Sequence, residues 1–554
     1  MTDPIAPAPS ASDGLLLGLF AIAALAFVLR LASSLVHPLN YDGYWHVFIA
    51  RNLSRELGSL AHPPLFPLLL RAVDAVRHSR LSYLSISLVS GSANVLLFGL
   101  VLRKLCFHRA TPVLGALALA ISPSAILLSG VAEAYMLCVA FLLAAFLAYL
   151  DLVAATPPHP ARARVAFSVF ATLALLSHYA AGFFLVAGLA APFVLAALEP
   201  RYCRALRRAL PPRVGADAAT LLLPATVAAA LFHFLARPWV KALSHLPAFY
   251  FEPARETAPA FLTRTLAGTF DLFSPFQIAP PALAACALVV FVVAAAAIAV
   301  RADRRRNPAL PGATAAVLLA LLLLLEMTAA LRGWYPFGGA MRHQIFLMVF
   351  ALMAAFVAFD GLLLAASPSS RRVLVALAIV AIGANGWVHL ERRWRPRPEP
   401  FSADRERFDR DFPQTREVHV DQFNLIGFFA QHHDWDWDFL GPIPGHPGRE
   451  RYRLSSKGRS LELVAHRDIW TMDLRRADLY TALAETRGTE ASSTFTLYAV
   501  PQALPGESAP SAETLQREIP ALARQAGLEI DRLDVAGADA FAQFRRTGPA
   551  GPTP

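Results

Sequence analysis

The sequence predicts an α-helical polytopic membrane protein with about eleven transmembrane helices and a small α/β domain near its C-terminal end. Three observations lead to this fold class. Of the 554 residues, 56% are hydrophobic and only 16% are charged, and the mean hydropathy is +0.46. Long apolar runs recur, and each is long enough to cross a hydrocarbon core of about 30 Å. Beyond residue 390 the composition becomes polar and rich in proline.

The predicted spans are the apolar runs between charged or Pro/Gly-rich breaks. They cover residues 14–36, 81–102, 110–128, 131–150, 165–177, 180–198, 216–236, 281–300, 312–331, 343–366 and 372–390. Residues 1–13 contain no Lys or Arg. They therefore lack the basic start of a cleaved signal peptide, and they are predicted to be a cytoplasmic tail.

Short arginine-rich loops set the predicted orientation. If the chain starts in the cytoplasm and crosses eleven times, all of these loops fall on the cytoplasmic side: residues 103–109, 162–164, 201–213, 301–306 and 371–372. The N-terminus is then cytoplasmic and the C-terminal domain extracytoplasmic. The formal charge of +10 reflects this topology, and no nucleic-acid partner is predicted.

The first outer loop, residues 37–80, contains the stretch NYDGYWHVFIARN at positions 40–52. From Trp45 onward, apolar residues recur at helical spacing, which predicts an amphipathic helix lying in the membrane interface. Asp42 precedes this helix, and two compatible roles are open for it. Its carboxylate can cap the helix N-terminus, or it can act as a general base that accepts a proton from a hydroxyl.

Other polar residues stand at predicted outer turns, namely His62, His178, Tyr179, Arg342 and His343. His62 precedes two prolines, which break a helix and display the imidazole at the turn. An ordinary interfacial role is open for these side chains. Near a phosphate, however, they would serve as hydrogen-bond donors to the anionic oxygens.

Two acidic residues lie inside predicted spans. Glu133, near the start of the fourth span, either pairs with an arginine or belongs to a functional site. Glu326, in the ninth span, is expected to pair with Arg332 or another cation of the bundle.

The C-terminal part is predicted to comprise a polar linker at 391–415, a soluble α/β domain at 416–505 and a Pro/Ala/Gly-rich tail at 506–554 with one amphipathic helix near 512–527. Patterns within the domain predict strands at 416–422, 460–466 and 493–500, and helices at 423–433 and 478–488. One acidic and histidine-rich stretch is typical either of a metal site or of an exposed strand or loop; it contains His432, His433, Asp434, Asp436 and Asp438.

Taken in order, these features resemble the GT-C superfamily of membrane glycosyltransferases. Within it, the chain is similar to the bacterial branch of protein mannosyltransferases, lipid A aminoarabinose transferases and lipopolysaccharide galacturonosyltransferase-like proteins. The resemblance covers about residues 14–390. It rests on Asp42 in the first outer loop, HPPL at 62–65, Ser122-Pro123, Glu133 with Tyr135, HY at 178–179, and YPFGG at 335–339 with Arg342.

The resemblance implies a GT-C catalytic domain over residues 14–390 in the inner membrane of a bacterium. Such a domain transfers a sugar from a polyprenyl-phosphate donor to a hydroxyl of a glycan, lipid or protein, with inversion. It implies that Asp42 is the catalytic base, although Gly43 stands where many relatives carry a second acid. The implied substrate-binding and phosphate-binding residues are His62, Glu133, His178, Tyr179, Arg342 and His343. A divalent metal ion is left open, and no other cofactor is implied.

Two other classes of function are open on the sequence. A polytopic transporter of lipids or sugars would carry polar residues through the bundle to the membrane midplane, whereas here they concentrate at one predicted face. A non-catalytic cell-envelope assembly protein would use the outer domain to bind partners.

Overall fold

The computed structural model describes most of the chain and divides it into two compact units. One unit is Met1–His37 with Ile49–Arg397, and the other is Pro38–Phe48 with Pro398–Pro554. The described residues are 13–37, 39–56, 63–153, 159–198, 214–231, 233–234, 251, 253–254, 256–273, 281–306, 311–335, 341–393, 402–456, 458–467, 494–499, 511–536 and 539–546.

The first unit is helical. Its elements are α1 (Asp13–Val36), the end of α2 (Tyr41–Arg51), α3 (Leu53–Glu56), α4 (Leu65–Asp74), α5 (Arg80–Leu105), α6 (Ala110–Ala120), α7 (Pro123–Ser129), α8 (Tyr135–Val153), α9 (Pro160–Ser177), α10 (Ala181–Leu198), α11 (Val214–Leu231), α12 (Ala258–Phe273), α13 (Pro281–Arg306), α14 (Pro311–Leu331), the 3₁₀ turn η1 (Met341–Gln344), α15 (Ile345–Ala365) and α16 (Pro368–Arg393). A continuous apolar core joins α5, α8, α10, α14 and α15.

Seven helices in the described part are long and apolar enough to cross a membrane, or eight spans if the bent pair α6 and α7 counts as one. These eight coincide with eight of the predicted spans, which confirms a polytopic helical membrane protein. The other three predicted spans fall on α9, α11 and α16. The total of eleven, and the side on which each terminus lies, stay predictions.

The bend between α6 and α7 is 55°, and it is stabilised by a buried arginine of α1. Pro123 starts α7, and the break leaves the last carbonyls of α6 without partners inside the helix. Arg30, fully buried, donates from Nη1 to Ala120 O at 3.0 Å and from Nη2 to Leu119 O at 3.3 Å. Its Nε donates to Ser129 Oγ at 3.0 Å. A cation at a helix C-terminus also complements the helix dipole.

A second polar cluster connects α2, α4 and α5. Asp74 accepts from Arg51 Nε at 3.1 Å and from the Tyr83 hydroxyl at 2.7 Å, and His78 Nδ1 lies 2.7 Å from the same carboxylate. Burial by itself would raise the pKa of Asp74, but the hydrogen bonds from Arg51, His78 and Tyr83 lower it. The first predicted outer loop therefore contains a fixed set of short helices.

The second unit is built on a seven-stranded sheet with the order β2-β3-β4-β1-β5-β7-β6. Its strands are β1 (Glu417–Asp421), β2 (Asp436–Ile443), β3 (His446–Ser456), β4 (Arg459–His466), β5 (Thr494–Ala499), β6 (Leu528–Ala536) and β7 (Asp539–Arg546), with helices α17 (Ser402–Asp411), α18 (Gln422–Gln431) and α19 (Ala512–Gln525). The central strand β1 is parallel to β4 and β5, and all its residues are buried, as expected of a strand covered on both faces.

The predicted strands over 416–422, 460–466 and 493–500 correspond to β1, β4 and β5, and the predicted helix over 423–433 corresponds to α18. The predicted helix at 478–488 lies outside the described residues. The segment 506–554 was predicted to be a tail with one helix, and this is wrong for its second half. After α19 the chain turns at Gly527, whose φ is +75°, and adds β6 and β7 to the sheet.

Candidate functional site

The helical unit brings two of the predicted site residues together in an ion pair. Glu133 precedes α8 and is 3% exposed, and Arg342 lies in η1 at the start of α15. Arg342 Nη1 is 3.5 Å from Oε1 and 3.4 Å from Oε2 of this carboxylate. These distances exceed the usual range of about 2.7–2.9 Å for charged hydrogen bonds. The arginine side chain is 27% exposed.

A histidine lies beside this pair among aromatic rings. The ring of His178 is 4.9 Å from that of Tyr135 and 5.4 Å from that of Phe346. His178 follows α9, and its Nδ1 accepts a hydrogen bond from the backbone N–H of Ala180 at 3.1 Å. Because Nδ1 accepts, the ring proton is on Nε2, and the imidazole is a neutral donor through that atom.

The turn that carries Arg342 is fixed from one side by a tyrosine. The Tyr335 hydroxyl donates to the backbone carbonyl of His343 at 2.7 Å, and its ring packs edge-on against Phe183 at 5.0 Å. On the other side, Ser87 Oγ of α5 donates to the carbonyl of Glu133 at 3.2 Å. Hydrogen bonds thus hold the backbone of Glu133 and that of the residue after Arg342. The side chain of His343, the residue after Arg342, is buried.

Tyr179 lies next to His178 in the turn between α9 and α10. Burial raises the pKa of its phenol well above the usual range, so it remains a hydroxyl at neutral pH. Within the described residues its oxygen has no hydrogen-bond partner. His62, the remaining predicted residue of this set, lies outside the described residues, and its role stays a prediction.

Asp42 belongs to the second unit and lies in the first turn of α2. The helix begins at Tyr41, four residues earlier than the apolar spacing predicted. The cap is Asn40, whose Oδ1 accepts from Gly43 N at 3.0 Å. The capping role predicted for Asp42 is therefore taken by its neighbour. Burial, then the charges of Asp42 and Asp421, raise the pKa of Tyr41 well above its usual range.

Within the described residues, no group of three His, Cys, Asp or Glu side chains is placed to hold a metal ion. The stretch from His432 to Asp438 illustrates this. Asp434 pairs with Arg405 at 2.9 Å. His432 and His433 each donate from Nδ1 to a backbone carbonyl of α18, at 3.1 and 2.9 Å. These side chains stabilise the end of α18 and do not converge on one point.

The acidic residue predicted to pair within the bundle does not do so. Glu326 is 0% exposed in α14, and neither carboxylate oxygen has a hydrogen-bond partner in the part of the chain that the structure describes. The expected pairing with Arg332 is wrong, because Arg332 lies after the end of α14, more than one helical turn away along the chain.

Sequence reasoning missed Arg30 and the cluster around Asp74. Arg30 was the one charge in a long apolar run, which is an available signal for a buried functional or structural cation. Asp74 lies in an ordinary loop sequence, and nothing in its spacing indicates Arg51, Tyr83 and His78 as partners.

Comparisons with solved structures bear on the fold as a whole. This chain is similar in structure to ArnT from Cupriavidus metallidurans, whose crystal structure was solved with bound undecaprenyl phosphate. The alignment covers 98% of this chain and 100% of the ArnT chain, with a TM-score of 0.53 and 13% sequence identity. The apo state of ArnT from the same organism gives a TM-score of 0.54 and 12% identity at the same coverage. No protein family profile and no curated protein sequence matches the chain.

These values confirm the resemblance at the level of the fold. The apolar helices place the first unit in a membrane, and the similarity extends over the sheet of the second unit as well. The chain has the fold of ArnT over nearly its whole length.

Proposed function

We propose that this chain is a membrane glycosyltransferase that moves a sugar from a polyprenyl-phosphate donor to an acceptor hydroxyl, with inversion, at the extracytoplasmic face. The observation that carries the proposal is the partly exposed Arg342 at the start of α15, in contact with Glu133, together with the neutral donor His178, in a chain with the ArnT fold. One ArnT structure was solved with undecaprenyl phosphate, which supports this class of donor.

Arg342 is assigned to the donor phosphate. A guanidinium binds two phosphate oxygens in a bidentate manner, and it remains charged at all physiological pH values. The contact of Arg342 with the Glu133 carboxylate, at 3.4 Å, is longer than a usual charged hydrogen bond. A phosphate oxygen at normal hydrogen-bond distance from the guanidinium would stabilise the leaving phosphate as the bond to the sugar breaks.

The neutral donors complete this arrangement. His178 presents Nε2–H, and Tyr179 keeps its hydroxyl protonated. Neutral donors bind sugar hydroxyls or phosphate oxygens without adding charge, and the turn between α9 and α10 supplies both of them. His62 and His343 are assigned to the same substrate-binding set.

Asp42 is assigned as the general base. In the proposed step its carboxylate takes the proton of the acceptor hydroxyl, and the acceptor oxygen forms a bond to the anomeric carbon. The bond from that carbon to the phosphate oxygen breaks, and its electron pair leaves with the polyprenyl phosphate. One base is sufficient because the phosphate is already a fair leaving group.

The test is a transfer assay with the full-length protein in liposomes. The protein is incubated with a panel of polyprenyl-phosphate hexoses and pentoses and with glycan, lipid and peptide acceptors, and products are identified by mass spectrometry. A glycosylated acceptor together with released polyprenyl phosphate is the expected result. Movement of the intact donor across the bilayer without any glycosylated product would contradict the proposal and favour a transporter.

A further inference from the structure

The segment that carries Asp42 is packed against the C-terminal sheet. Phe48, 1% exposed, lies on the same unit as α18 and the β2–β3 hairpin. Its ring is 5.3 Å from that of Phe429, 6.4 Å from that of Trp437 and 6.1 Å from that of Tyr452. The contacts with Phe429 and Trp437 are edge-on, a favoured geometry of aromatic pairs, and the contact with Tyr452 is tilted.

A second ring of the segment binds the same surface. Tyr44, one helical turn before Phe48 and 1% exposed, lies 5.4 Å from His433 at the end of α18. Residues four apart lie on one face of a helix. One face of α2 therefore packs against the sheet domain through both Tyr44 and Phe48. The domain surface is itself fixed, because Trp437 packs on Phe429 at 5.1 Å and donates from Nε1 to the carbonyl of His432.

The charge of Asp421 also acts on the start of α2. Asp421 is fully buried at the end of the central strand β1 and caps α18 by accepting from Asn424 N. Burial, with the charges of Asp42 and Asp421, raises the pKa of Tyr41, the first residue of α2.

We infer that the C-terminal domain positions the general base: α18 and the β2–β3 hairpin hold the Asp42 segment, and Phe429 and Trp437 are positioning residues for the transfer reaction. This rests on the proposed function, which assigns the base to Asp42. A catalytic group must be held to within a fraction of an ångström, and displacement by about 1 Å can cost about 10²-fold in rate. Residues whose own side chains are fixed by packing supply such support without touching the substrate.

The test uses two matched variants of the full-length protein, Phe429→Leu and Phe412→Leu. Both phenylalanines are buried in the sheet domain; Phe429 lies in α18, and Phe412 directly follows α17. Phe429 contacts Phe48, whereas the ring contacts of Phe412 are to Phe408, Phe541 and the guanidinium of Arg532. Both variants therefore lose the same aromatic ring, Phe429→Leu in contact with the Asp42 segment and Phe412→Leu away from it.

Two measurements are made on both variants. In the transfer assay, Phe429→Leu should lower kcat by about tenfold and leave the donor KM within about twofold, because the donor contacts are unchanged. By hydrogen–deuterium exchange, the amides of residues 41–48 should exchange faster in Phe429→Leu than in wild type. Phe412→Leu should change neither quantity beyond any general loss of domain stability.

The exchange measurement needs no catalytic activity, so it separates the two ideas. If the wild-type protein transfers no sugar but the amides of residues 41–48 still exchange faster in Phe429→Leu, the proposed function is wrong. The packing of this segment on the sheet domain is then still supported. Equal exchange of residues 41–48 in both variants, or a change in donor KM with kcat unaltered, would overturn the positioning role.

Discussion

Arg342 and Glu133 lie 209 positions apart in the chain, and their side chains meet at 3.4 Å between Nη1 and Oε2. The carboxylate is 4% exposed and the guanidinium 27% exposed. The acidic partner is therefore enclosed by the protein, while the basic partner still reaches solvent. This arrangement holds a positive charge at a partly exposed position.

The first prediction concerns this charge. Arg342→Ala should lower kcat/KM for a polyprenyl-phosphate sugar by about 10²-fold, because a charged donor to the leaving phosphate is lost. Arg342→Lys should recover part of the activity, since it keeps the charge but not the bidentate geometry. Steady-state kinetics with varied donor provide the measurement. Unchanged donor affinity and turnover in Arg342→Ala would contradict the assigned role.

The second prediction concerns the base. Asp42→Asn should reduce transfer by at least about 10²-fold, because the amide cannot accept the acceptor proton. Expression and thermal stability should stay at the wild-type level, since the helix cap is Asn40. Asp436→Asn, an exposed change in the same unit, is the matched control and should retain activity. Full activity of Asp42→Asn in the mass-spectrometric assay would remove Asp42 from the mechanism.

The third prediction concerns the pH dependence of stability in the sheet domain. Burial lowers the pKa of His432 to about 4, below an unfolded value of about 6.5. The unfolded state therefore binds the proton first, and the domain should lose stability as pH falls from about 6.5 towards 4, by about 3 kcal/mol. Thermal unfolding of wild type and His432→Gln between pH 4 and 8 tests this. The loss of stability at low pH should be smaller in His432→Gln than in wild type. An equal dependence of melting temperature on pH in the two proteins would contradict the prediction.

The fourth prediction concerns the unpaired acid in α14. Replacing the buried carboxylate of Glu326 by leucine should stabilise the protein by about 1–3 kcal/mol, because an unsatisfied polar group is removed from an apolar site. Glu326→Gln, which stays polar, should give a smaller gain. Melting temperatures in detergent measure the effect. A lower melting temperature for Glu326→Leu would show that the carboxylate has a stabilising role.

Hydropathy was sufficient to find the helices, because a membrane span is determined by local composition. Residues 110–128 were predicted as one continuous span, whereas the structure divides them at Ser122-Pro123 into α6 and α7 with a 55° bend that Arg30 stabilises. The start of α2 was misplaced because Asn40, and not the apolar spacing, determines where the helix begins.

The final strands were missed for a different physical reason. The register shift between Ile530 and Arg532 interrupts the alternation of apolar and polar residues in β6. The partners of Phe48 could not be predicted either, since Phe429, Trp437 and Tyr452 come from a domain almost four hundred positions later. Local patterns carry no information on such distant contacts.

The aromatic attachment of Phe48 also has an evolutionary consequence. A residue that packs on three rings distant in the chain cannot change in size without a compensating change in one of them. Residues 44 and 48 should therefore co-vary with residues 429, 433, 437 and 452 among related proteins. A chimera that exchanges only the C-terminal domain between relatives should regain activity when residues 38–48 are exchanged with it.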